Sequence, residues 1–278
     1  MNTSRSYNSR IFVAECLAIL LALVFLTPFY FAVINSFKSF GDLLTDSAGW
    51  PKSWHPGNYS RAWSLLRFPR VFGNSLLITV IANAGLVVIS AMAAHRMIRV
   101  PTRFNKGVFG LFVASMIIPF QSIMIPLVKV VSALGIQNSY VGIIICYFGF
   151  GTMLSVFLYH GYMKSIPKEM EESAVVDGCS PYGVFWRIVF PLLKPMTVTV
   201  LLLNSLWIWN DFLLPLLILS SPGLRTIPLA ASSFFAQYTK QWDLGLASLV
   251  LGIIPIIIFF LAMQKHIIEG ITAGSVKG

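Results

Sequence analysis

An all-α integral membrane protein with six transmembrane helices and a helix-turn-helix loop is what this sequence predicts, and three observations carry the expectation. Hydrophobic residues fill 56% of the 278 positions and charged residues only 11%, against about 25% charged in soluble domains. Six runs approach the roughly 20 apolar residues a helix needs to cross a bilayer, at 11–34, 71–95, 105–130, 139–162, 196–219 and 244–264. Between the fourth and fifth runs lies a polar island, 165–195, punctuated like two short helices joined by a glycine turn.

The first run follows Arg5 and Arg10 and looks at first like a secretory signal. It is too long for the apolar region of one and lacks a small-x-small cleavage site, so it reads as an uncleaved first membrane helix. The segment 37–70 carries Trp50-Pro51, Trp54-His55-Pro56 and Asn58-Tyr59 before a basic stretch over 61–70. Tryptophans favour the membrane interface, and the segment reads as an external interfacial lid or as a surface for an external partner protein. Pro119 and Pro126 interrupt the third run with Gln121 between them. Prolines free carbonyls that a cavity or a packed neighbour must satisfy, so Gln121 is a candidate pathway residue or an interhelical hydrogen-bonding group.

The fifth run carries a polar stripe: Thr197, Asn204, Ile208 and Asp211 share one face by three-and-four spacing, with Asn210 on the adjoining face. A carboxylate at the bilayer centre costs about 2.5 to 3.5 kcal/mol. Asp211 should therefore sit near a helix end and face protein or water. Asn204, Asn210 and Asp211 join Gln121 as candidate pathway-lining residues. The expected organisation is a first helix and external loop over 1–70, a transmembrane core over 71–264 and a tail over 265–278.

Orientation follows from the basic residues. An even number of spans puts both termini on one side, and that side holds twelve of the twenty Lys and Arg. The densest short cluster is Arg96, Arg99, Arg103 and Lys106. Positive residues favour the cytoplasmic side, which places both termini and the polar island there. The net charge of +10 is dispersed between apolar runs, so it fits lipid headgroups and topology better than nucleic acid. Cys16, Cys146 and Cys179 are far apart and form no metal-ligand spacing, so neither a disulfide nor a metal site is expected.

No Gly-x-x-x-x-Gly-Lys-Ser/Thr phosphate loop occurs, and His55, His95, His160 and His266 form no His-Glu-x-x-His site. Asp211, Lys129 and His160 are too isolated to make a proton relay. No catalytic residue and no cofactor are expected, and any ATP must be hydrolysed by another subunit.

The polar island is built for stiffness. Pro167 suits a first helical turn, and Glu169, Glu171 and Glu172 complement a helix N-terminus. Gly178 offers the left-handed conformation that ends a helix, and Ser180-Pro181 is a cap followed by a first-turn proline. Phe185, Ile188 and Val189 give the second helix an apolar side, and Phe190-Pro191 with Pro195 close the element. The order Glu172-Ser173-Ala174, Asp177-Gly178 and Ile188-x-Phe190-Pro191 resembles the EAA loop of permease subunits in binding-protein-dependent ABC importers. Ser173 stands where alanine is commoner and Phe190 where leucine is commoner.

Further similarity runs along the chain: Asn35-Ser36-Phe37-Lys38, Pro56-Gly57-Asn58-Tyr59, Asn74-Ser75, Pro119 with Pro126, Trp209-Asn210-Asp211 and the tail 270–278. Together these resemble the carbohydrate-uptake permeases, the group that includes the second membrane subunit of the maltose importer. The resemblance implies that Glu172, Ser173, Ala174, Asp177, Gly178, Ile188 and Pro191 couple to an ATPase and that Gly274, Lys277 and Gly278 contact it. It implies as partners a second homologous permease, two copies of an ABC ATPase and an extracytoplasmic sugar-binding protein, assembled at a bacterial or archaeal cytoplasmic membrane. An importer of glycerol 3-phosphate or a polyol is the alternative within that architecture, and a secondary carrier acting alone is the alternative outside it.

Overall fold

A computed structural model describes residues 9–235 and 241–275, with side chains over 11–235 and 241–263. In chain order the helices are α1 (Ser9–Ser36), α2 (Phe40–Thr45), α3 (Gly57–Leu66), α4 (Phe68–Arg99), α5 (Arg103–Ser115), α6 (Phe120–Ala133), α7 (Tyr140–Met163), α8 (Glu169–Val176), α9 (Pro181–Val184), α10 (Phe190–Leu192), α11 (Lys194–Asn210), α12 (Leu213–Ile218), α13 (Ile227–Ala231) and α14 (Trp242–Ser275). A π-helical turn, Phe185–Val189, joins α9 to α10. Four stretches are long and apolar enough to cross a membrane as straight helices: Ile11–Ser36, Phe68–Arg99, Tyr140–Met163 and Trp242–Met263. Two bent pairs bring the number of spans to six if each is taken as one.

The bent pairs correct the expected third and fifth helices. The third is no single rod: α5 and α6 meet at 111°. Pro119 stands extended at the start of α6, with φ −68° and ψ 137°, and it disfavours helical backbone at Ile118 before it. Pro126 is carried inside α6 without ending it. The fifth stops at Asn210 instead of running to Leu219, because Asp211 turns extended and a separate α12 begins beyond it. Pro215 would in any case break a continuous ladder there, having no N–H to donate. The bend that completes the other pair lies at Leu193, where 181–192 and α11 meet at 75°. Phe190-Pro191 with Pro195 is the expected closure; the bend falls between them, with Pro191 within α10 and Pro195 in the first turn of α11. The π turn before Pro191 widens the helix where the proline ring would otherwise press on the carbonyl of Arg187.

Contacts divide the chain into two compact units, Met1–Leu66 with Ala231–Ile253 and Arg67–Ala230 with Ile254–Gly278. In the first, two of the motifs read in the sequence meet. Asn58 Nδ2 donates to the carbonyls of Ser36 and Lys38 at 2.9 and 2.8 Å. Ser36 Oγ and the Tyr59 hydroxyl lie 2.7 Å apart, and the Phe37 and Tyr59 rings pack at 5.0 Å. The Lys38 ammonium, fully buried, donates to the Asp46 carbonyl at 2.7 Å.

The second unit is centred on α4 and α7, joined by α11. Ile78, Ala82 and Leu86 of α4 pack with Ile143 and Tyr147 of α7 and Ile208 of α11. Small residues let these backbones approach, as membrane helices require when packing supplies the association energy. At Gly151 an added Cβ would lie 2.6 Å from a Leu86 methyl. Asn74 fixes the segment after α12, donating to the carbonyls of Gly223 and Arg225 and accepting from the Tyr140 hydroxyl. Ser75 Oγ accepts the Ile227 N–H at 3.0 Å.

Candidate functional site

The polar island forms the helix, glycine turn and helix that its punctuation specifies. Glu169, Glu171 and Glu172 fill the first turn of α8, where carboxylates complement the helix dipole. At the other end Gly178 has φ +83°. The Cys179 N–H reaches the Ala174 carbonyl at 2.9 Å and the Gly178 N–H reaches Val175 at 3.0 Å. This paired arrangement closes the last turn of a helix and leaves few orphan carbonyls. Ser180 then caps α9 by accepting the Gly183 N–H at 3.2 Å, with Pro181 as the first residue.

One face of the element is anchored. Val184, Phe185, Val189 and Leu193 are buried together with Ala91 and Ala94 of α4, Tyr159 and Met163 of α7, and Ala174 of α8. Ile188 packs on the edge of this cluster. A charged clamp adds direction: Glu171 receives Arg99 Nε at 2.7 Å and lies 2.8 Å from His95 Nε2. Burial pushes the Glu171 carboxyl up, but hydrogen bonds from His95 and Arg99, and then their charge, outweigh burial and hold it below its ordinary value.

The opposite face is bare. Val176 is 87% exposed and Tyr182 70% exposed, on either side of the glycine turn, with Val175 and Met170 also open. Glu172, Ser173, Asp177 and Gly178 are exposed too, while Ala174 faces inward and Pro191 is exposed on α10. The sequence reading missed the clamp and this apolar pair. The basic last turn of α4 was a signal for the clamp, although read only for topology; Val176 and Tyr182 carried no signal separable from core residues.

The polar stripe of α11 meets α7 as a ladder. Thr197 accepts from the Tyr159 hydroxyl at 2.9 Å, Asn204 donates to Ser155 Oγ at 2.9 Å, and Asp211 accepts from the Tyr147 hydroxyl at 3.1 Å. Asn204 is thus buried between helices, while Asn210 is exposed and donates back to the Leu206 carbonyl. Gln121 is exposed in the first turn of α6, away from the ladder. Gly274 lies in the last turn of α14, and Lys277 and Gly278 fall outside the described residues.

Residues 65–272, which include the whole of the polar element, match the family model of the binding-protein-dependent transport system inner membrane component. The chain belongs to that family. Its similarity to individual members is end to end. It is 40% identical over 273 residues to a probable starch degradation products transport system permease protein, AmyC, of Thermoanaerobacterium thermosulfurigenes, covering 98% of this chain and 99% of that one. It is 34% identical over 281 residues to the melibiose/raffinose/stachyose import permease protein MelC of Bacillus subtilis (strain 168), covering both chains completely. In three dimensions it superposes on a chain of a bacterial ABC transporter involved in import of the acidic polysaccharide alginate, with a TM-score of 0.76 over 95% of this chain and 99% of that one. At 22% identity that likeness establishes the permease fold alone. As an inner membrane component of such a system the protein is a multi-pass membrane permease, and membership implies an ATPase and a substrate-binding protein as partners.

Proposed function

We propose that this permease is one of two homologous membrane subunits of a sugar importer, clasped by two copies of an ATPase and fed by an external sugar-binding protein. What most supports this reading is the two-faced element over 169–192: anchored to α4 and α7 on one side and presenting Val176 and Tyr182 around a rigid turn on the other. A loop that is stiff and attached transmits a push; a flexible one absorbs it. The sugar assignment rests on the relatives, whose names give starch degradation products, melibiose, raffinose and stachyose.

In this reading the element faces the cytoplasm with both termini, as the basic cluster 96–106 favours. Val176 and Tyr182 enter a cleft of the ATPase, Glu172, Ser173, Asp177 and Gly178 border the contact, and Ala174, Ile188 and Pro191 hold the element in shape. Closure of the ATPase dimer around ATP moves α8 to α10 as a rigid body and rocks α4, α7 and α11. The tail residues Gly274, Lys277 and Gly278 make a second contact with the ATPase.

The test is co-expression with the subunits encoded beside this gene, followed by uptake into proteoliposomes and disulfide trapping. ATP-dependent uptake of a sugar, and a crosslink from Val176→Cys to the ATPase, are expected. Uptake driven by a proton gradient without ATP would assign the protein to the secondary carriers instead.

A further inference from the structure

The last turn of α4, the start of α5 and the end of α7 enclose a cavity of about 270 Å³. A flat stack forms one side of it: the Phe109 ring of α5 lies on the His160 imidazole of α7, with centroids 3.7 Å apart and planes 17° from parallel. Met97, Ile98 and Pro101 add an apolar wall. Lys106 of α5 and Lys164, just past α7, complete the lining and are exposed.

The charge here is one-sided. Neither ammonium makes a hydrogen bond or an ion pair among the described residues. No described carboxylate lines the cavity, and of the ten acidic residues in the chain only Glu269 falls outside the described side chains. An ammonium offers only donors, so the partner that two of them lack is an anion with several acceptor oxygens.

Depth selects among anions. The membrane-crossing stretches of α4 and α7 end at Arg99 and Met163, so Lys164 immediately follows a span while His160 lies about one turn inside it. Phe157, a further three residues in, and Leu111 on α5 are exposed and offer apolar surface to an acyl chain. The volume falls below the about 300 to 1,000 Å³ of sites that enclose a whole small molecule, which suits a headgroup whose tails remain outside.

We propose that this cavity binds the phosphate of an anionic phospholipid, with its oxygens accepting from Lys106 and Lys164 Nζ and an acyl chain running along Phe157. Basic pockets between membrane helices recognise such headgroups. The bias of basic residues toward one side of a membrane accounts for lysines at this end of the bundle; it does not require two of them, from different helices, to share one cavity. The inference stands apart from the sugar-importer reading, since it needs only a chain that spans the membrane.

Photolabelling tests it on the full-length permease, with the subunits that co-purify, in phosphatidylcholine nanodiscs doped with a phosphatidylglycerol analogue that carries a diazirine near its headgroup. Label is expected within 104–111 and 157–164. Lys106→Gln and Lys164→Gln should each lower it about fivefold, the effect of one lysine beside an anionic headgroup. Lys168→Gln, which removes the same charge from an exposed position outside the cavity, should change it by less than about twofold. Labelling of wild type needs no variant to fold, and its absence from both segments would overturn the proposal. An equal loss in Lys168→Gln, or equal labelling by the matching phosphatidylcholine analogue, would reduce the effect to surface charge or general lipid contact and overturn it as well. Displacement by inorganic phosphate at constant ionic strength would make the ligand a soluble anion and reject the lipid. Label that appears only in Glu269→Gln would show that the chain fills the cavity with its own carboxylate.

Discussion

Arg99 grips Glu171 through a single carboxylate oxygen: Nη2 and Nε approach Oε1 at 2.6 and 2.7 Å, and Nη2 also donates to the Ile166 carbonyl at 3.0 Å. One guanidinium at the end of α4 thereby holds both the loop before α8 and the first turn of α8. Arg99→Ala should release the helix while leaving the apolar cluster beneath it. Charge-assisted hydrogen bonds contribute about 1.5 to 3 kcal/mol each when buried, and partial exposure of both side chains, 13% each, reduces this to about 1 to 2 kcal/mol for the clamp. The expected result is normal membrane insertion with a several-fold fall in sugar-stimulated ATPase activity, measured on the assembled importer.

The same clamp sets an acid limit. Glu171 has its carboxyl depressed below the ordinary value because the hydrogen bonds and charges of His95 and Arg99 overcome burial. A depressed acid stabilises the fold above its unfolded pKa of about 4.3 and loses that contribution as pH falls through the lower folded value. Attachment of α8 should therefore persist into mildly acidic solution and fail only at lower pH. In Arg99→Ala burial is opposed by His95 alone, and detachment should move to higher pH. Amide exchange across 169–176, followed from about pH 6 to pH 3, reads this directly; identical profiles for the two proteins would refute it.

Gly178 tests stiffness without touching any contact within this chain, and Gly178→Asn, which adds a side chain at the same border with the ATPase, controls for bulk. Its φ of +83° excludes most side chains, yet an added Cβ would meet nothing within 4 Å, so any penalty is conformational. Gly178→Val should cost about 1 to 2 kcal/mol and uncouple ATP hydrolysis from uptake, whereas Gly178→Asn, which tolerates the left-handed region, should retain most transport. Comparable uptake by the two variants would show that the turn is not strained by side chains.

How much of this could be read from residues alone varies with the range of the interaction. The α8 turn was legible because the three glutamates, Gly178 and Ser180-Pro181 act within a few positions of themselves, and the structure places each in its local role; Pro167, expected in the first turn, stands two residues before the helix begins at Glu169. Four straight spans were legible from length and hydropathy. An interruption at Pro119 was legible too, but neither its 111° angle nor the end of α11 at Asn210 was. Hydropathy counts apolar residues but does not register a backbone reversal, and Pro126 shows that a proline need not break a helix. The Arg99 clamp joins residues 72 positions apart, and Asn83 and Ser205 meet across 122. No spacing rule joins them.

Asp211 gives the last test, because its two oxygens do separate work. Oδ1 accepts the N–H groups of Leu213 and Leu214 at 3.0 and 3.4 Å and so starts α12, while Oδ2 accepts the Tyr147 hydroxyl of α7 at 3.1 Å. Asn at this position keeps an oxygen for the cap, so Asp211→Asn should cost only about 0.5 to 1 kcal/mol, against about 2 to 3 kcal/mol for Asp211→Ala, which loses both functions. Tyr147→Phe removes the ladder bond alone and should cost about 0.5 to 1.5 kcal/mol. Combining Tyr147→Phe with Asp211→Ala should then be less damaging than the sum of the two, since the second change has no bond left to break. Unfolding of the purified permease in detergent measures all four variants. Strict additivity would mean that the hydroxyl and the carboxylate do not interact, and that α12 is positioned by the cap alone.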